Sequence, residues 1–148
     1  MTTTPVPSAL EVGTALPAWE LPLTPTLIVS TAIATRDFQD VHHDRDRAQA
    51  AGSQDVFMNI LTSTALCQRY VEDSLGHDVE IRAIAIRLGA PAYPYDTLTF
   101  TGEVAEVGED EVVLEVAGAV SLGAHVIGTV RLARQAGRAG GAGGGVVR

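Results

Sequence analysis

One stretch of this 148-residue chain has helical spacing and the length for a central helix, and after it the pattern changes period. VFMNILTSTALCQRYVEDSLG (Val56–Gly76) sets apolar residues at Ile60, Ala65, Leu66, Val71 and Leu75, then stops at a glycine. Its broad apolar face, with Ala, Thr and Ser along it, predicts a buried helix. Beyond Gly76 the period is two. IRAIAIRLGAP, TLTFTGEVAEV, EVVLEVAGAVSL and HVIGTVRLA read as four strands, with tight turns at Gly108–Asp110 and around Gly123. Upstream, TLIVSTAIA (Thr26–Ala34) is β-branched and apolar and reads as a further strand. A single helix cannot cover both faces of a sheet, but one strongly curved sheet can wrap a helix. The predicted class is therefore α+β.

That description fits the hot-dog fold, a central helix wrapped by a curved antiparallel sheet. The chain has room for one domain, and 46% hydrophobic but only 5% aromatic residues predict an aliphatic core. A Thr/Pro-rich start (residues 1–11) and a Gly-rich end (residues 134–148) read as flexible tails around a domain spanning 12–133. A net charge of −8 argues against nucleic-acid and anionic-membrane partners, both of which need basic patches. The single cysteine, Cys67, excludes an internal disulfide and a cysteine-based zinc cluster. No apolar run approaches the roughly 20 residues of a membrane span, and MTTTPVPSALEVG has neither a basic nor an apolar leader region. The expected setting is the cytoplasm.

Charge concentrates between the first apolar run and the helix, in TRDFQDVHHDRDRA (Thr35–Ala48). By composition alone this is a solvated turn leading into a helix. A metal site on His42, His43, Asp44 and Asp46 is disfavoured, because neighbouring side chains diverge and no His-x₃-His spacing exists. His43 reads as an exposed or supporting histidine.

The same stretch resembles the motif of MaoC-like (R-specific) enoyl-CoA hydratases, D-x-N-P-x-H-x-D-x-x-x-A, with Asp37, His42, Asp44 and Ala48 in register. RLGAPAYPYDTL (Arg87–Leu98) is similar to the family's second block, R-F-x-x-P-V-x-P-G-D-T-L. Within that family the chain most resembles the small subunits of actinobacterial steroid side-chain hydratases. The resemblance implies water addition to an α,β-unsaturated acyl-CoA, with Asp37 and His42 as the acid–base pair and CoA present only as the substrate's carrier. It also implies a backbone donor for the thioester oxygen at the start of the central helix, where the family often has His-Gly and this chain has Met58-Asn59. Asn59 is a candidate oxyanion residue, and Gln39, standing where the family has Asn, a candidate for orienting the water. Asp40 replaces the family's proline, so the loop needs another support, such as the Asp40 side chain on local backbone N–H groups. The implied partner is a larger MaoC-like subunit in a heteromer, with a heterotetramer expected, and no metal is implied. Two alternatives stay open: a non-catalytic subunit supporting a partner hydratase, and a hot-dog thioesterase using Asp55 as its carboxylate.

Overall fold

The computed structural model describes residues 10–134. In chain order the elements are β1 (Ala15–Pro22), α1 (Pro25–Ala34), a 3-10 turn (Asp40–His42), α2 (Arg45–Ala50), α3 (Ile60–Leu75), β2 (Ile81–Leu88), β3 (Thr97–Val107), β4 (Glu111–Val120) and β5 (Gly123–Ala133). The strands form one antiparallel sheet in the order β1-β3-β4-β5-β2, with α3 packed on it. The α+β hot-dog arrangement expected from the change of period is present.

Alternation along the strands fills the space under the helix. Leu98, Phe100 and Val104 of β3, Val112, Leu114 and Val116 of β4, and Val126, Val130 and Leu132 of β5 are buried with Leu66, Cys67, Tyr70, Val71 and Leu75 of α3. Each large aliphatic side chain contributes about 1.5–3 kcal/mol by leaving water. Three aromatic rings stack in the core: Tyr70 lies on Phe100 and Phe100 on Trp19, each pair with centroids 5.5 Å apart. Gly102 gives Tyr70 its room, since a Cβ there would stand 3.1 Å from Tyr70 Cε1. A branched residue at 102 would push the sheet off the helix.

Two element assignments differ from the sequence reading. Thr26–Ala34 is not a strand but most of helix α1. Thr24 caps it, accepting from the Leu27 N–H at 3.0 Å, and Pro25 fills the first turn, where a missing N–H costs nothing. The hydroxyls of Ser30, Thr31 and Thr35 bond back to carbonyls of the preceding turn, and Ile28 and Ala32 are buried, so packing overrides β-branched propensity. The remaining strand is instead ALPAWELP (β1), which pairs with β3.

Helix α3 begins at Ile60 rather than Val56 and ends before Gly76, whose φ of 104° suits glycine. It is not buried all round: Leu61, Ala65, Gln68 and Arg69 form an exposed face. Residues 1–9 and 135–148, most of the two predicted tails, lie outside the described residues. Of the rest, Leu10 packs against the core, and Arg134 bonds through its backbone N–H to Asp110 O at 2.9 Å. Among the described residues no helix is long and apolar enough to cross a membrane.

Candidate active site

Asp37 is placed by the way α1 ends. The Asp37 N–H donates to Ala32 O at 2.9 Å and the Arg36 N–H to Ile33 O at 3.0 Å, the paired bonds of a Schellman stop. Arg36 takes the left-handed position, φ 57°, that glycine usually occupies there. The chain therefore reverses at Arg36 and delivers the Asp37 carboxylate toward the start of α3.

His42 arrives from the other side of the same loop. It is 6% exposed, at the end of the 3-10 turn. Its Nδ1–H donates to Phe57 O at 2.7 Å, and its ring meets the Phe57 ring edge-on at 5.0 Å. A carbonyl can only accept, so in the neutral ring Nδ1 carries the proton and the Nε2 lone pair is free. That Nε2 lies 3.4 Å from Asp37 Oδ2. The two residues expected to form the acid–base pair are thus neighbours in the structure.

Asn59 joins them. It caps α3, its Oδ1 accepting from the Thr62 N–H at 3.0 Å. Its Nδ2 donates to Asp37 Oδ2 at 3.1 Å and to Thr35 Oγ1 at 2.9 Å. The side chain thus turns toward the carboxylate and is engaged there. Gln39 meets Asp37 by its backbone, N–H to Oδ1 at 3.3 Å, while its exposed side chain makes no hydrogen bond among the described residues.

The helix start supplies donors. Met58 N–H is committed to Ala92 O at 3.0 Å. Among the described residues none accepts from the N–H groups of Asn59, Ile60 or Leu61, which point out of the positive end of a 16-residue helix. Backbone donors beside a carboxylate–imidazole pair can hold a developing oxyanion while a proton moves.

Other motif positions are structural. Asp44 caps α2 by accepting from the Arg47 N–H at 3.0 Å, and Ala48 is fully buried under it. Asp40 braces the loop by an ion pair with Arg47 at 3.6 Å and lies 4.0 Å from His43 Nε2, and among the described residues its side chain bonds no backbone N–H. His43 donates from Nε2 to Phe38 O at 3.2 Å, away from Asp37. Asp96 of the second block accepts from the Thr97 N–H, the Ser121 N–H and the Ser121 hydroxyl, tying β3 to the β4–β5 turn. Asp55, the carboxylate a thioesterase would use, lies before α3 with Oδ1 on the Val56 N–H and Oδ2 3.7 Å from Arg45. An 870 Å³ groove across the middle of the sheet, bordered by Leu16, Arg87 and Glu115, includes none of the paired residues.

The sequence reading missed His125, which is buried and bonded to Ser63 Oγ at 2.8 Å and Ala90 O at 2.7 Å. On β5, Ala124 pairs with Ala119 and Val126 with Gly118, leaving His125 as a bulge. The bulge buries two consecutive residues, His125 and Val126, which strict alternation does not allow. The only signal in the sequence was a histidine inside an apolar strand.

No family model matches the sequence. The chain is 56% identical over 121 residues, 82% of its length and 94% of the relative's, to the 3-oxo-4,17-pregnadiene-20-carboxyl-CoA hydratase beta subunit of Mycobacterium tuberculosis. The chain belongs to the MaoC-like enoyl-CoA hydratase family. In the crystal structure of the ChsH1-ChsH2 complex from Mycobacterium tuberculosis, one chain matches it with a TM-score of 0.82 and 54% identity, over 84% of this chain and 98% of that one. The (R)-hydratase of A. caviae involved in PHA biosynthesis superposes with a TM-score of 0.77 at 19% identity, covering 84% of this chain and 96% of that one, a likeness of fold. Membership in the family makes Asp37, His42 and the start of α3 the place to look for its chemistry.

Proposed function

We propose that this chain is the small, catalytic subunit of a heteromeric hydratase that adds water across the α,β double bond of a steroid side-chain acyl-CoA. The observation that carries this reading is the 3.4 Å approach of His42 Nε2 to Asp37 Oδ2, with each residue anchored by other bonds. A water seated beside the pair, within reach of both, faces a carboxylate oxygen and an imidazole lone pair. One of them takes a water proton as oxygen bonds to the β-carbon. The electron pair of the double bond moves toward the thioester oxygen, where the Asn59 N–H and its helical neighbours receive the charge. The same proton then passes to the α-carbon, so one water is consumed and the enzyme is unchanged. Gln39 contributes the backbone N–H that holds Asp37 Oδ1 at 3.3 Å, and the orienting of the water by its side-chain amide rests on the family resemblance alone.

CoA enters only as the carrier of the acyl group, and the setting is the cytoplasm. The partner is a larger MaoC-like subunit, by analogy with the ChsH1-ChsH2 complex that the 54%-identical chain comes from, and the family resemblance adds a heterotetramer to the proposal. The exposed apolar side chains Phe38, Ile60 and Leu61 beside the site support the need for a covering chain. Co-expression with that subunit, size exclusion and assay across a panel of enoyl-CoAs tests the reading. Hydration activity should co-elute with the two-chain complex. Release of free CoA instead, or no hydration of any enoyl-CoA, would overturn it.

A further inference from the structure

We infer that the Asn59 side chain is a positioning residue for Asp37, so that one residue sets the distance between the proton-transfer pair and the donors that begin α3. The inference rests on the hydratase reading above and deepens it. Asn59 is 2% exposed, and its amide orientation is determined by its partners. Oδ1 must be the oxygen, because it accepts a backbone N–H from Thr62. Nδ2 must then be the nitrogen facing Asp37, whose carboxylate accepts. It also faces Thr35 Oγ1, whose own proton goes to Thr31 O at 2.8 Å. The chain of bonds runs from the last turn of α1 through Thr35 and Asn59 to Asp37 Oδ2, the oxygen that faces His42.

Two consequences follow from this geometry. Committed to Asp37, Thr35 and Thr62, the Asn59 amide is not the group that meets the thioester oxygen, and that task falls to the backbone. And because the Asn59 N–H is one of the unclaimed donors, base and oxyanion donor hang from a single residue. A glycine at this step could supply only the backbone half, which gives the Asn at this position a physical reason.

The test is Asn59→Ser in the full chain, co-purified with its partner. Serine caps a helix about as well as asparagine, so the melting temperature should stay within about two degrees. Its hydroxyl is too short to span to Asp37. The expected result is a fall in kcat of about 10- to 100-fold with KM nearly unchanged. In a chain already carrying Asp37→Ala, the same substitution should leave the residual rate unchanged, because Asn59 acts through Asp37. A single-variant rate within twofold of wild type, or an equal fractional loss in both backgrounds, would overturn the inference. The Asn59 side-chain amide signals in a ¹H–¹⁵N spectrum read the clamp without any assay: Asp37→Ala should move them, and unmoved signals would refute the clamp. If the wild-type complex hydrates no enoyl-CoA while those signals do move, the functional reading fails and the clamp stands.

Discussion

Ser63 Oγ and His125 Nε2 meet at 2.8 Å in the interior, one on the first turn of α3 and the other on the bulge of β5. His125 also donates from Nδ1 to Ala90 O, and the loop containing Ala90 and Ala92 receives the Met58 N–H just ahead of the Asn59 cap. This buried pair therefore ties the sheet, the loop after β2 and the catalytic end of α3 together. With Nδ1–H facing a carbonyl, the neutral ring that burial favours leaves Nε2 to accept the Ser63 hydroxyl, in place of that hydroxyl's longer bond to Asn59 O at 3.2 Å. Burial holds its pKa below the ordinary histidine value.

The sign of the pH dependence follows. Between the lowered folded pKa and the unfolded value of about 6.5, the unfolded chain binds more protons than the folded one. The stability due to a neutral His125 is complete above about pH 6.5 and declines as pH falls below it. His125→Gln keeps a donor for Ala90 O and an acceptor for Ser63 but does not titrate. It should melt below wild type at pH 7, with the gap narrowing as pH falls toward 5. A gap constant across that range would show that His125 contributes through shape alone.

Asp37→Asn removes the charge and a proton acceptor while keeping the shape, and His42→Ala removes the imidazole. Each should lower the hydration rate by about 10²-fold or more with the fold retained, as far-UV circular dichroism would verify. His43→Ala should cost far less, because its ring is turned to Phe38 O and only braces the loop. A larger loss at His43 than at His42 would mean the proton-transfer histidine has been misidentified.

The parts of this site that could be read from sequence are those that the family motif marks, and the motif is local. Asp37 and His42 flank a short turn and stand close in space, and the motif's Asp44 and Ala48 are equally local, although their roles as helix cap and buried residue came from the structure. Four of the five strands, β2 to β5, were legible from the alternation after Gly76, and β1 was not. What escaped depends on contacts between distant segments. The β-branched run of α1 follows strand propensity until burial of Ile28 and Ala32 decides otherwise, although Thr24-Pro25 was a start signal that went unused. His125 is drawn inward by a bulge, which depends on the register of β4 against β5. The Asn59 clamp spans 22 positions to Asp37, and no spacing rule reaches that far.

Arg36 supplies a backbone test. A left-handed conformation costs a side-chain-bearing residue roughly 1–2 kcal/mol, and glycine adopts it freely. Glycine also loses about 0.4–1 kcal/mol more in ordering the unfolded chain. Arg36→Gly should thus be mildly stabilising, raising the melting temperature by a degree or a few. A clear loss of stability would mean that the Arg36 side chain makes a stabilising contact worth more than the relieved strain.

Asp96 explains why an acid stands in the second sequence block, and it titrates in the opposite sense to a group that burial keeps neutral. Its carboxylate receives the Ser121 hydroxyl at 2.6 Å, the Thr97 N–H at 2.7 Å and the Ser121 N–H at 3.0 Å. The Ser121 hydroxyl foremost, with the two backbone N–H groups, holds its pKa below the usual carboxylate value against the opposing effect of burial. The folded chain then releases the proton more readily than the unfolded one. The stabilisation is complete above about pH 4 and is lost as pH falls through the folded pKa. Asp96→Asn keeps the outline but turns an NH₂ group, or a weaker acceptor, toward donors that need a carboxylate. At pH 7 it should melt a few degrees below wild type, as the start of β3 loses its tie to the β4–β5 turn. Thermal melts from pH 7 down to about 2.5 should show the two proteins converging only below about pH 4. Convergence near pH 6 would point to a histidine instead, and identical melting at pH 7 would show that the tie adds nothing to the fold.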